Sequence, residues 1–153
     1  TRKESSAASD VYKRQLDIEL TESCLIEDEV AAIDLIKQFR QLGARVHLDD
    51  FGTGYSSLSQ LARIPLDAIK LDASFVRGVN ENPGSQALAR AIVAVERTLE
   101  LKVIAEGVET PEETAFLDTL GVDAKQGYLY AKPMPASELA TWLAQRRRLH
   151  LIA

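Results

Sequence analysis

The sequence has little of what marks secreted or membrane-spanning proteins. Its 153 residues contain a single cysteine, Cys24, so no disulfide can form within the chain, which fits a reducing cytosol. No apolar run reaches the roughly 18 residues of a membrane-spanning helix, and no signal-peptide pattern is present. We therefore expect a cytoplasmic location and no membrane contact from this segment; any membrane anchor of the parent protein would lie upstream.

Positive charge and zinc-type ligands are also scarce. The 18 Lys and Arg residues face 23 Asp and Glu residues, a net charge of −5 that argues against a nucleic-acid polymer as partner. The one basic run, Arg146 to Arg148, is interpreted as a solvated helix end, where cations complement the helix dipole. Neither His47 nor His150 belongs to a set of His and Cys residues with zinc spacing.

What the sequence does have, from Leu16 onward, is an alternation of short apolar runs with longer helical patterns. Strands are predicted over 16–22, 44–51, 68–75 and 101–109 and within 124–134, and helices over 27–43, 56–64, 83–100, 110–121 and 136–150. The first long helix is predicted from the spacing of Val30, Ile33, Ile36 and Phe39. This alternation implies an α/β fold with parallel strands. Periodicity alone leaves open whether the sheet forms a barrel or stays open.

Acidic residues lie at or just past the carboxyl ends of four predicted strands. They are Glu19, the adjacent pair Asp49 and Asp50, Asp72, and Glu106. In both α/β architectures this edge of the sheet is where ligands bind. Like charges packed together repel one another, so a divalent cation among them would make the cluster tolerable. Carboxylate oxygens suit Mg²⁺ or Mn²⁺.

Two neighbouring features each have two interpretations. The run DDFGTGYSS (49–57) is either a cradle of backbone N–H groups for phosphate or a strand-to-helix turn that needs glycine. It lacks the Gly-Lys-Ser/Thr end of a P-loop. Lys70, in the predicted strand AIKLD, either orients a water or stabilises phosphate charge beside a metal, or forms a buried ion pair with Asp72 or Glu106.

Five runs together resemble one family. LDIELTES, DDFGTGYSSL, IKLDASFV, VIAEGVET and QGYLYAKPM are similar, in order and spacing, to motifs of EAL-domain phosphodiesterases, which hydrolyse the bacterial messenger cyclic di-GMP to linear pGpG. The resemblance implies a TIM-like (β/α)8 barrel, two Mg²⁺ or Mn²⁺ ions, cyclic di-GMP as ligand, and a homodimer formed near the DFGTG loop. Two metals would explain an acidic site with no nucleophilic Ser or Cys.

The resemblance also implies roles for individual residues. Glu19, Asp49, Asp50 and Glu106 match metal ligands, with Asp49 bridging both ions. Lys70 matches the group that orients the attacking water, and Glu106 is also a candidate general base. The remaining matches are Glu109 and Gln126 in the water and substrate network, Glu22 positioning the DFGTG loop, and Gly52, Thr53 and Gly54 as loop contacts.

Some parts of the family pattern are not found in this sequence. It contains no Glu-Ala-Leu motif, no counterpart of the neighbouring phosphate-binding Arg, and no counterpart of an Asn ligand from a later strand. We therefore expect the C-terminal portion of the barrel, about five of eight strand–helix units, truncated at its N-terminus. The parent protein is expected to be a phosphodiesterase, with this fragment inactive. The alternatives are a catalytically inactive receptor for cyclic di-GMP and, more remotely, an unrelated metal-dependent α/β enzyme.

Residues 5–15, SSAASDVYKRQ, are mostly small and polar, unlike the predicted apolar strand that follows. They resemble the in-frame translation of a transposon-based sequencing adapter, whereas the other interpretation is a natural polar linker. We therefore expect residues 1–15 to be a non-native or disordered segment. The partial EAL domain is expected to occupy residues 16–153.

Overall fold

The computed structural model describes residues 16–52 and 58–150, without the side chains of 25–27, 58–59 and 147–150. Its strands are β1 (Asp17–Thr21), β2 (Arg45–Phe51), β3 (Ala68–Leu71), β4 (Lys102–Ala105) and β5 (Ala124–Lys125). Its helices are α1 (Glu22–Glu27), α2 (Glu29–Gln41), α3 (Leu58–Leu61), α4 (Ala73–Val76), α5 (Pro83–Thr98), α6 (Pro111–Leu120) and α7 (Ala136–His150). Within these ranges, no helix has the length and apolar character needed to cross a membrane.

The strands form one parallel sheet in chain order, β1-β2-β3-β4-β5. A doubly wound open sheet reverses its strand order at a switch point, whereas a (β/α)8 barrel places each strand beside the preceding one. The observed order therefore favours part of a TIM-like barrel, and the predicted α/β class is confirmed.

The core lies between the sheet and its helices, in two clusters of buried side chains. The first includes Ile36, Val46, Leu48, Leu61 and Ile69. The second includes Leu71, Val93, Val103, Leu117 and Leu120. Burying each such side chain contributes about 1.5–3 kcal/mol, so these clusters hold the helices against the strands that carry the acids.

Two sequence predictions about local structure were wrong. The strand predicted over 68–75 ends at Leu71, and α4 begins at Ala73. Asp72 terminates the strand because its Oδ1 accepts a hydrogen bond from Ser74 N at 2.9 Å and caps the helix. In α2, Val30 is 73% exposed, so it does not belong to the buried stripe that includes Ile36.

Glu96, in the last turn of α5, is fully buried, and its carboxyl oxygens have no hydrogen-bond partner among the described residues. Burial, together with the nearby Asp123, raises the pKa of Glu96 from 4.5 to about 8. The folded state therefore binds this proton more tightly than the unfolded chain does. Stability should be unaffected by Glu96 below pH 4.5 and should fall as the pH rises toward 8.

We expect Glu96→Gln to remove this loss of stability. Between pH 4 and a pH above 8, the unsubstituted chain should lose on the order of 3–5 kcal/mol of unfolding free energy through the ionisation of Glu96. The variant should not show this loss. Urea unfolding followed by circular dichroism between pH 4 and 9 measures the difference. Glu138→Gln, at an exposed position of α7, is the control. Parallel pH profiles for Glu96→Gln and the parent chain would contradict the expectation.

Candidate metal centre and catalytic site

The predicted acids meet at one edge of the sheet because the strands are parallel. Glu19 lies in β1, Asp49 and Asp50 lie in β2, and Glu106 directly follows β4. Lys70 in β3 lies between the strands that carry the acids. The structure therefore brings Glu19, Asp49, Asp50, Lys70 and Glu106 close together, and their roles stay predictions.

Lys70 is the centre of this charge arrangement. Its side chain is 6% exposed, and Nζ lies 2.8 Å from Glu19 Oε1, 3.0 Å from Asp49 Oδ1 and 2.7 Å from Glu106 Oε1. Burial by itself would lower the pKa of Lys70, but its close contacts with the three carboxylates outweigh burial and raise the pKa above the ordinary value. The lysine therefore stays charged at neutral pH.

Asp49 and Asp50 reach the same site through an irregularity in β2. Consecutive side chains of a regular strand point to opposite faces. Between β2 and β3 the register shifts, so that Leu48 pairs with Ile69 but Phe51 pairs with Leu71. Asp50 has a positive φ of 55°, which is uncommon for a residue other than glycine. This bulge brings the two carboxylates together, and such backbone irregularities are frequent beside active sites.

A cleft of about 260 Å³ adjoins Glu106. Its walls include Glu109, Gln126, Arg77 and Tyr128. Arg77 Nη2 lies 3.5 Å from Glu109 Oε1. The structure thus brings together Glu106, Glu109 and Gln126, the last two of which were predicted to support the water and substrate network.

Backbone hydrogen bonds hold the Gln126 segment against the segment after β4. Gln126 N donates to Ala105 O at 2.8 Å, and Val108 N donates to Gln126 O at 3.1 Å. Gly127 packs so closely that a Cβ there would overlap the backbone of Val108. This position requires glycine because the two segments are in direct backbone contact.

The profile of the EAL domain matches residues 2–133, which is most of the chain. The chain belongs to the EAL-domain family. The resemblance carried by the five motifs is thereby confirmed. The match includes residues 2–15, and the domain boundary at Leu16 stays a prediction.

Similar proteins and solved structures support the same family assignment. The cyclic di-GMP phosphodiesterase PdeR of Escherichia coli K12 is 63% identical over 127 residues, which cover 83% of this chain and 19% of PdeR. The PaMucR phosphodiesterase, solved with cyclic di-GMP, is 42% identical with a TM-score of 0.78, over 83% of this chain and 51% of that one. Klebsiella pneumoniae BlrP1, solved with manganese and cyclic di-GMP, is 38% identical with a TM-score of 0.70, over 79% of this chain and 31% of the BlrP1 chain.

The residues present fit a divalent cation, such as the manganese with which BlrP1 was solved. Asp49, Asp50 and Glu106 each offer a carboxylate oxygen, and these atoms lie within 4.8 Å of one another. Oxygen donors in such a group suit hard divalent ions. Glu19 contacts Lys70, which in turn contacts Asp49 and Glu106 of this group. The role of Glu19 as a metal ligand remains a prediction.

The DFGTG loop of the EAL pattern is described only in part. Gly52 has a φ of +94°, and a Cβ there would lie 2.9 Å from the ring of Phe75. Thr53 and Gly54 fall outside the described residues, so the choice between phosphate cradle and turn stays open. Glu22, at the start of α1, is buried, and its predicted contact with this loop also remains a prediction.

Sequence reasoning was wrong about one acid and missed two charged residues. Asp72 caps α4. Of the two ion-pair partners considered for Lys70, Glu106 is in contact with it and Asp72 is not, and Glu19 and Asp49 are further partners. Arg77 had no signal in the sequence, because its proximity to Glu109 depends on how two loops pack. Glu113 had a signal, since Thr110 followed three residues later by Glu is a capping-box pattern, and that box is present.

Proposed function

We propose that the protein hydrolyses cyclic di-GMP to linear pGpG in a reaction that needs a divalent cation, Mg²⁺ or Mn²⁺. The observation that carries the proposal is the buried, charged Lys70, which contacts Glu19, Asp49 and Glu106. Two of these acids, Asp49 and Glu106, also form the candidate cation site together with Asp50. The relatives support the substrate class, because PdeR is named a cyclic di-GMP phosphodiesterase and PaMucR was solved with cyclic di-GMP.

Asp49, Asp50 and Glu106 would hold the cations, with Glu19 as a further predicted ligand. Bound divalent ions would lower the pKa of a water molecule and offset the negative charge of the phosphodiester. The carboxylates and the lysine of the cluster can hold and orient a water molecule and can accept or donate its protons.

The chain's own side chains would position the reacting groups. Lys70 donates hydrogen bonds and can orient the attacking water. The water oxygen adds to phosphorus, the bond from phosphorus to the leaving ribose oxygen breaks, and that oxygen takes up a proton. Glu106 is placed to accept the proton lost by the water. Glu109 and Gln126 line the cleft and can bond to water or substrate.

We also propose that residues 1–153 by themselves do not turn over substrate. A (β/α)8 barrel closes with eight strands, whereas the described residues form five. Strands β1 and β5 therefore have a partner on one side only, and the chain covers about half of PaMucR. Ligands that a complete EAL domain draws from its remaining strands would be missing.

A hydrolysis assay tests both proposals. The 153-residue chain and the protein carrying the complete domain are incubated with cyclic di-GMP and Mg²⁺ or Mn²⁺, and pGpG is quantified by chromatography. We expect turnover by the complete protein only, and its loss in EDTA. Turnover by the 153-residue chain would overturn the second proposal. Binding without turnover by the complete protein would overturn the first and identify a receptor.

Two further parts of the proposal rest on the family alone. We expect a cytoplasmic site of action, since cyclic di-GMP is an intracellular bacterial messenger. We also expect a homodimer formed near the DFGTG loop, residues 53–57 of which lie outside the described part of the chain. Light scattering of the complete protein would measure the oligomeric state.

A further inference from the structure

Glu113 is a buried carboxylate that accepts hydrogen bonds from three backbone amides. It lies in the first turn of α6 and is 4% exposed. Its Oε1 accepts from Gly78 N at 2.9 Å, and its Oε2 accepts from Glu109 N at 2.8 Å and from Thr110 N at 3.0 Å. A single side chain therefore links two segments that are far apart in sequence.

The two segments that Glu113 links carry the walls of the catalytic cleft. Glu109 ends the segment that begins at Glu106, directly after β4. Gly78 follows Arg77, at the end of α4 and beyond the strand that carries Lys70. Arg77 and Glu109 form an ion pair between the two segments. Arg77 directly precedes Gly78, and Glu109 itself carries one of the three amides bonded to Glu113. The Glu113 carboxylate thus fixes the spacing of these segments.

The charge of Glu113 is stabilised where it lies. Burial alone would raise the pKa of Glu113, but the hydrogen bonds from Glu109, Gly78 and Thr110 outweigh burial and lower it. An ionised carboxylate accepts hydrogen bonds about twice as strong as those of a neutral group. Glu113 is therefore a firm anchor at neutral pH.

Helix capping accounts for only part of this arrangement. A capping box needs the Thr110 side chain to accept from Glu113 N and the Glu113 side chain to accept from Thr110 N. The bond from Gly78, which is 35 residues away in sequence, is not part of a capping box. It connects α6 to the segment after β3, so its effect extends beyond the stability of the helix.

We propose that Glu113 is a positioning residue for the catalytic site, acting through the backbone of Glu109 and Gly78 to hold Glu106, Glu109 and Arg77 in place. This rests on the proposed function, since the site it positions is the one assigned to hydrolysis. Glu113 itself is buried and is not among the residues that line the cleft. Small displacements of positioned groups lower turnover, by about 10²-fold for 1 Å in sensitive cases.

Two substitutions separate the bonds of Glu113. Glu113→Ala removes all three acceptor contacts. Glu113→Gln keeps one carbonyl oxygen, which can still accept from Glu109 N and Thr110 N, but it places an NH₂ group against Gly78 N. Hydrogen exchange by NMR should show all three amides exchanging about 10-fold faster or more in the alanine variant. In the glutamine variant only the Gly78 amide should do so.

Function is measured on the same variants in the protein that carries the complete domain. We expect kcat to fall about 10- to 100-fold in Glu113→Ala with little change in KM, and to recover in part in Glu113→Gln. Mn²⁺ affinity, followed by titration calorimetry, should weaken several-fold in Glu113→Ala because Glu106 is displaced. The control is Glu112→Gln, an exposed neighbour in the same turn of α6, which should match the parent protein.

The readouts distinguish failure of this inference from failure of the proposed function. If the parent protein has no turnover, amide exchange and Mn²⁺ affinity still decide the role of Glu113. Faster exchange with unchanged Mn²⁺ affinity and unchanged kcat would show a purely structural residue and overturn the proposal. Unchanged exchange in Glu113→Ala would overturn it as well. If the alanine variant does not fold, the glutamine variant and its Gly78 amide carry the test.

Discussion

Replacing Lys70 with methionine in the protein that carries the complete domain should lower kcat by at least about 10³-fold. Methionine preserves the length and packing of the side chain but removes the charge that Glu19, Asp49 and Glu106 surround. The attacking water would lose the donor that orients it. Initial rates of pGpG formation at saturating Mg²⁺ measure this loss.

Cation binding should respond in the opposite direction to the same change. Without the ammonium group the carboxylates attract a cation more strongly, so we expect Mn²⁺ to bind at least as tightly to Lys70→Met as to the parent protein. Lys102→Met, at an exposed position of β4, is the control. A fall in kcat of less than 10-fold, or weaker Mn²⁺ binding in step with the lost turnover, would contradict a catalytic role for Lys70.

Asp49→Asn should weaken Mn²⁺ binding by at least about 10-fold and lower turnover about 10³-fold or more, because a neutral amide is a poorer ligand for a hard cation. Asparagine has the same shape and keeps an oxygen that can lie against the Lys70 ammonium group, so the fold should be retained. The parent protein should gain thermal stability when Mn²⁺ is added and lose it in EDTA, since a ligand that binds only the folded state stabilises it.

The thermal shift and calorimetry together test the role of Asp49. Asp49→Asn should show little Mn²⁺-dependent shift in Tm. Asp34→Asn, at an exposed position of α2 and outside the group of Asp49, Asp50 and Glu106, also removes one charge and should keep the shift of the unsubstituted protein. An equal shift in Asp49→Asn and the parent protein would show that Asp49 is not a ligand.

The two predictions depend on a feature that the sequence pattern could not supply. Alternation along a regular strand would send the Asp49 and Asp50 side chains to opposite faces of the sheet. The register shift in β2 and the positive φ of Asp50 place both carboxylates beside Glu106. A bulge arises from how one strand pairs with the next, and no residue of DDF marks it in advance.

Much of the fold and of the site could nevertheless be predicted from the sequence. The period of the apolar residues gave the alternation of strands and helices, and the cap residues Thr110 and Pro111 placed the start of α6. Parallel strands bring their carboxyl ends to one edge, which predicted that Glu19, Asp49, Asp50, Asp72 and Glu106 lie close together. The strand predicted across Asp72 was wrong because a local side-chain cap replaced the strand there.

By itself the sequence determined the α/β class, the family, and the residue types gathered at the carboxyl edge of the sheet. These depend on local periodicity and on motifs, which are continuous in the chain. Only the tertiary structure decided the strand order, the three carboxylate partners of Lys70, and the bond from Gly78 to Glu113. Each of these joins residues distant in sequence, and such contacts form only when burial of the helices against the sheet fixes how the segments pack.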